Sequence, residues 1–250
     1  MTSAKEIYEY INSFAPFETA MSFDNVGILV GDEMTGTDRV LVTLDATPDS
    51  IREAQELNAK IIVTHHPVIF DPIKVLDSKS VVYLAAKAGI TIISAHTNLD
   101  TARGGVNDTL AEAIGIKAEK FLDEHCMLIG EFDREMNCTE LAESIKEKLQ
   151  LSGMRFTDCG RKIKRAAVAC GAGGSNIEAA RSFGADALIT GEIKHNYIVY
   201  GNSYGIAVFD LGHYGSEKLI IPRLVKMLSE QFSGTEFIRA QSDTDGLIYI

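Results

Sequence analysis

The chain has 250 residues, 46% hydrophobic and 24% charged, with a formal net charge of −11. That length supports one large or two smaller globular domains. The acidic balance argues against a broad nucleic-acid surface, which needs a basic patch. No apolar run approaches the roughly 18 residues needed for a membrane span.

The opening Met1–Glu6 lacks the charged-then-apolar layout of a secretory leader. A cytoplasmic protein is therefore expected. Cys126, Cys138, Cys159 and Cys170 form no Cys-x-x-Cys pair, so they are expected as reduced thiols rather than finger-type zinc ligands.

Taken in chain order, a helix is predicted over Ala4–Phe14. Val40–Asp45 reads as a buried strand, followed by a Thr47-Pro48-Asp49 helix start and helical spacing over Ser50–Asn58. Strand Ile61–Thr64, helix Ser80–Ala88, strand Ile90–Ser94 and helix Asn107–Ile114 follow. Lys117–His125 reads as a linker. Met127–Phe132 is expected as a strand and Thr139–Gln150 as a helix. Strand Ala166–Cys170, helix Asn176–Gly184, strand Ala187–Thr190, helix Lys194–Tyr200 and strand Ile206–Asp210 come next. Ser216–Gln231 is predicted as a long amphipathic helix with a break at Pro222. Gly246–Ile250 is predicted as a closing strand.

The chain repeats itself. Residues 40–65 align with residues 166–191 without a gap, with identities at Val42/Val168, Ala46/Ala172, Ile51/Ile177, Ala54/Ala180, Ala59/Ala185 and Thr64/Thr190. Alternating strands and helices imply an α/β fold of two similar domains, with mostly parallel sheets flanked by helices. The expected division is residues 1–125 and 126–250, with a C-terminal strand that can return to the first domain.

Ligands of such sheets collect beyond the carboxyl ends of the strands. His65-His66 follows one predicted strand end, His96 and Asp100 follow another, and His213 with Glu217 follows a third. Four of the six histidines lie in these segments. Imidazole with carboxylate is a usual ligand set for a transition metal. Two halves facing one another would gather the segments into one cleft.

Other readings stand beside this one. His65-His66 could be a turn pair, Asp100 a helix cap, and His213/Glu217 a surface i,i+4 pair. His96 could be an outer hydrogen-bond partner or an acid/base. Glu192 and His195 follow the second-copy strand and could touch substrate or simply begin a helix. Cys170–Asn176 could offer N–H groups to an anion, although a tight turn is the better reading. Asp24 and Asn25 read as turn residues in preference to outer-site residues.

The segments SFDNVGILVG, VTHHPVIF, SAHTNLD, TGEIKHN and LGHYGSEK, in this order, resemble those of the NGG-one-interacting-factor-three-like family, many members of which are labelled GTP cyclohydrolase type 2 homolog. The resemblance implies two α/β domains, a dinuclear metal site and a homohexameric toroid with its sites facing an internal cavity. The family's ligand pattern falls on His65, His66, Asp100, His213 and Glu217. Phe23 stands where members often have tryptophan, and Asn196 where they often have a second histidine after His195.

The expectation is a hydrolase with two divalent cations (zinc, iron, manganese, cobalt or nickel) acting on a nucleotide or related small molecule, with His96 or His195 moving a proton. A phosphoesterase and a non-catalytic metal-binding scaffold are the alternatives.

Overall fold

The computed structural model describes residues 1–250 and has an α/β fold of two compact units. In chain order the first elements are β1 (Thr2–Ser3), α1 (Ala4–Phe14), β2 (Gly27–Val30), β3 (Gly36–Thr37), β4 (Arg39–Thr43), α2 (Pro48–Glu56), β5 (Ile61–Thr64), α3 (Val81–Ala88) and β6 (Thr91–Ser94). Next come α4 (Thr97–Thr101), α5 (Val106–Ile114), β7 (Ile116–Leu122), β8 (Met127–Met136), α6 (Cys138–Leu149), β9 (Arg155–Phe156) and β10 (Ile163–Ala169). The chain continues through α7 (Ile177–Ser182), β11 (Ala187–Thr190), α8 (His195–Tyr204), β12 (Ala207–Asp210), α9 (His213–Glu217), α10 (Ile220–Gln231) and β13 (Glu236–Arg239).

The first unit comprises Met1–Leu99 and Ile220–Thr244, and the second Asp100–Leu219 and Asp245–Ile250. The units thus divide at Leu99/Asp100 rather than at residue 125, and the first takes back a late segment. The returning strand is β13, which pairs parallel with β4. Gly246–Ile250, predicted as the closing strand, forms no strand and belongs to the second unit. The predicted linker Lys117–His125 is mostly β7, antiparallel to β8. The predicted long helix is two helices, α9 and α10. Pro222 lies in the first turn of α10, where its missing N–H breaks no intrahelical bond.

The first unit's main sheet has the order β13-β4-β5-β6-β2, with only β2 antiparallel to its neighbour. Val40–Val42, Ile61–Val63 and Ile92–Ile93 are fully buried, because helices cover both faces of a parallel sheet. Local signals start the helices. Ser3 and Glu6 form a capping box at α1, Thr47 and Ser50 another at α2, and Asn137 caps α6.

The second unit's sheet has the order β7-β8-β10-β11-β12-β9. The duplication is exact in register. Val40 pairs with Ile61 and Thr43 with Thr64, while Ala166 pairs with Ala187 and Ala169 with Thr190. The third strands continue the match, Thr64 opposite Ser94 and Thr190 opposite Asp210. Each third strand also carries a short antiparallel edge strand, β2 on β6 and β9 on β12. The copies differ beyond the first strand, where β4 meets parallel β13 and β10 meets antiparallel β8.

All four cysteines are thiols outside any disulfide. Cys138 and Cys159 approach to 3.9 Å between sulfurs, and burial is the main cause pushing the Cys138 thiol up to about 12. No helix is long and apolar enough to cross a membrane.

Glu53 on α2 ties down the chain that follows β13. Its carboxylate accepts from the backbone N–H of Gln241 (2.8 Å) and Ser242 (3.0 Å) and from the Ser242 hydroxyl (2.6 Å). Partial burial opposes ionisation, but these donors prevail and lower its pKa. We therefore expect Glu53→Ala to lower stability at pH 7 by about 1–3 kcal/mol in urea denaturation. A lowered folded pKa gives stability that is present above the unfolded value and lost on acidification. The gap between wild type and variant should accordingly narrow as pH falls below about 4.3.

Candidate metal centre

In the first unit three neighbouring parallel strands end together. Asp45 lies just beyond β4, His65-His66 just beyond β5, and His96 just beyond β6. The ladder continues past the strands, with His65 N–H donating to Thr43 O (3.2 Å), His66 N–H to Leu44 O (2.9 Å) and Ala95 N–H to Thr64 O (2.9 Å). Side chains of adjacent strand residues normally point to opposite faces. Here the chain turns immediately toward Pro67, and the Thr64 hydroxyl donates to His66 O at 2.8 Å. The two rings consequently lie near one another, with centroids 4.9 Å apart.

The His96 ring is 5.2 Å from that of His65 and 5.6 Å from that of His66. One ring nitrogen from each of the three histidines lies within 4.8 Å of the others, a group able to hold a metal ion. His65 is fully buried, and the other two are half-buried.

Each ring is oriented through Nδ1. His65 Nδ1 meets Ala95 O at 2.9 Å, His66 Nδ1 meets an Asp45 oxygen at 2.9 Å, and His96 Nδ1 meets an Asp24 oxygen at 2.9 Å. Carbonyl and carboxylate oxygens only accept, so Nδ1 carries the proton in every case. A neutral ring then presents its lone pair at Nε2, the arrangement usual for histidine ligands.

Asp24 is itself anchored. Its second oxygen accepts from Thr97 N–H (3.0 Å) and the Thr97 hydroxyl (2.5 Å). Burial penalises its charge, yet the hydrogen bonds from His96 and Thr97 hold its pKa down to about 2. It is therefore a carboxylate at any working pH, and more than the turn residue read from sequence.

The second unit carries His213 and Glu217. α9 begins at His213 and ends at Glu217, which is 3% exposed. His213 Nδ1 meets a Glu192 oxygen at 2.8 Å, and Nε2 faces a Glu217 oxygen at 3.2 Å. With the proton on Nδ1, a lone pair and a carboxylate oxygen would repel at that distance. A second proton or a cation shared by both resolves the conflict.

Glycines make room for this pair. Gly171, with φ of 57°, approaches the Glu217 carboxylate so closely that a Cβ would strike it. A Cβ on Gly191 would lie 2.6 Å from Ser216 Oγ and 3.0 Å from His213 Cα. In the repeat these two glycines occupy the places of Asp45 and His65. The second copy has exchanged side chains for the space that α9 fills.

Asp100 is the fourth residue of α4, so the helix-cap reading does not hold. It is half-buried, and its charge and that of Glu217 add to the burial that raises the Cys170 thiol well above its usual range. Cys170 is thus a neutral thiol. Three N–H groups of this segment are engaged within the fold: Cys170 N–H bonds Asn107 Oδ1 (2.8 Å), Gly171 N–H bonds Ser216 Oγ (3.1 Å) and Gly174 N–H bonds Glu192 O (3.1 Å). The segment forms a tight turn that leads into a short 3-10 helix at Gly173–Asn176.

His195 is exposed at the first position of α8 and makes no hydrogen bond or ion pair, unlike its neighbour Glu192. The orienting role of Asp45 was missed from sequence. Its position at a strand end, one strand over from His66, was the available signal.

The Duf34/NIF3 (NGG1p interacting factor 3) family model matches residues 2–246. A Clostridium acetobutylicum protein named GTP cyclohydrolase 1 type 2 homolog is 34% identical over 229 residues, covering 85% of this chain and 84% of its own. A Clostridium perfringens protein of the same name is 30% identical over 258 residues and covers 98% of each chain. Among solved structures, a Staphylococcus aureus hypothetical protein superposes with a TM-score of 0.90 at 27% identity, over 99% of both chains. With the family model matched over nearly the whole length and relatives of 30–34% identity beside it, the chain belongs to the Duf34/NIF3 family.

Proposed function

We propose that the protein is a metal-dependent hydrolase in which His65, His66, Asp100, His213 and Glu217 hold two divalent cations, and that its substrate is a nucleotide or related small molecule. One observation carries this reading. All four histidines around the strand ends commit Nδ1 to an oxygen acceptor and direct Nε2 elsewhere. A histidine serving only the core has no need of a carboxylate to fix its tautomer.

The surrounding Asp24, Asp45, Glu192, Glu217 and Asp100 make both sets favourable to positive charge. The donor set is nitrogen and oxygen without thiolate, which suits zinc, iron, manganese, cobalt or nickel. The name shared by the two clostridial relatives supports a guanine nucleotide as substrate and hydrolytic opening of its imidazole ring as the reaction.

When bound, paired divalent cations polarise the bond under attack and acidify water. The chain's own residues do the rest. Asp45 and Glu192 hold the His66 and His213 rings at fixed angles. Asp24 holds His96 so that its Nε2 can accept a proton from attacking water and return it to the leaving nitrogen. His195, at its helix start, is a weaker candidate for that task.

His66→Ala and Glu217→Ala should each strip most of the bound metal, measured by plasma mass spectrometry, with little change in far-ultraviolet circular dichroism. Full occupancy in both variants would defeat the ligand assignment. Asp45→Ala and Glu192→Ala remove only the orienting partner, and should weaken metal affinity by about 10–100-fold. Metal-saturated protein should release product from GTP, followed by chromatography. Saturated protein inert toward GTP and phosphate esters alike would favour a metal-binding scaffold. We further propose a homohexameric ring, to be tested by light scattering. A particle of 27.2 kDa with metal present would contradict it.

A further inference from the structure

Two phenylalanines stand exposed beside the three-histidine cluster. Phe23 is 61% exposed and Phe70 47% exposed. Their ring centroids are 6.3 Å apart and tilted by 54°, so the faces are splayed rather than stacked on each other. The Phe70 ring in turn lies 6.3 Å from that of His96, nearly perpendicular at 79°.

Burying a phenylalanine stabilises a fold by roughly 1.5–3 kcal/mol, and here that gain is forgone twice at one place. The backbone prevents retreat. Asp24, next to Phe23, is locked by His96 and Thr97. Asn25 Nδ2 donates to Ile69 O at 2.6 Å, joining the Phe23 turn to the Phe70 loop. Both rings are thus held outward on a frame shared with His96. An exposed aromatic face at a fixed distance from polar groups is suited to a flat ring that carries a polar, reactive edge.

We propose that Phe23 and Phe70 form the seat for a purine base, with the base packed against their faces and its five-membered ring directed toward His96. The inference rests on the hydrolase reading and names its specificity-determining residues. Recognition through ring faces admits planar heteroaromatic ligands and gives little to a ribose or phosphate chain alone.

The test compares GTP with tripolyphosphate, which has the phosphates without the base. Equilibrium binding is measured on the full chain and on a Phe23→Leu/Phe70→Leu variant, with metal content determined on the same samples. Leucine keeps apolar bulk but removes the ring face. GTP affinity should fall by about tenfold or more, while tripolyphosphate affinity and metal content stay as in wild type. Equal losses for both ligands, or no loss for GTP, would overturn the seat. So would wild-type protein that holds metal yet binds GTP no better than tripolyphosphate. A variant with altered particle mass and unchanged GTP affinity would make the pair a contact between copies, and would likewise overturn it. Base-dependent binding in a chain found to hold no metal would leave the seat standing and remove the hydrolase reading.

Discussion

The register of β4, β5 and β6 is the constraint on which the first histidine set depends. These strands pair parallel with Thr43 opposite Thr64 and Thr64 opposite Ser94, so Asp45, His66 and His96 leave the sheet at one level. A slip of one residue would exchange the faces on which Ile61–Val63 pack and carry the histidines off that level. The site is therefore specified by the same packing that stabilises the core. Apolar burial fixes the register, the register fixes the strand ends, and the strand ends fix the rings.

The second unit uses the same scaffold differently. Its βαβαβ core keeps the register of the first, yet the places of Asp45 and His65 are held by Gly171 and Gly191. Removing those side chains lets a short helix approach, and that helix supplies His213 and buried Glu217. In the first unit a carboxylate beyond β4 orients a histidine beyond β5. In the second, Glu192 beyond β11 orients a histidine beyond β12. One topology thus provides two oriented imidazoles by shifting the carboxylate–imidazole pair one strand across.

Much of the fold was legible in the chain. The apolar runs at Ile61–Thr64 and Ala187–Thr190, the helix start at Thr47-Pro48-Asp49, and the gapless repeat are local or periodic signals, and each appears in the structure where the sequence places it. The misreadings share a cause. β13 and the tail at Gly246–Ile250 are both short β-prone stretches. Pairing with β4 was decided by the sheet edge and by anchors such as Glu53, none of them near in sequence. The division after Leu99 follows contacts made by a segment that returns more than a hundred residues later.

For the site, sequence alone determined the residue types and their place at strand ends, because strand periodicity and the His-His-Pro and His-x-x-x-Glu spacings are written along the chain. Only the tertiary structure decided which carboxylate meets which imidazole. Asp24 is 72 residues from His96, Asp45 is 21 from His66 and Glu192 is 21 from His213. Those distances close only when sheet packing brings separate strand ends together, and the hydrogen bonds formed there set the tautomer of each ring.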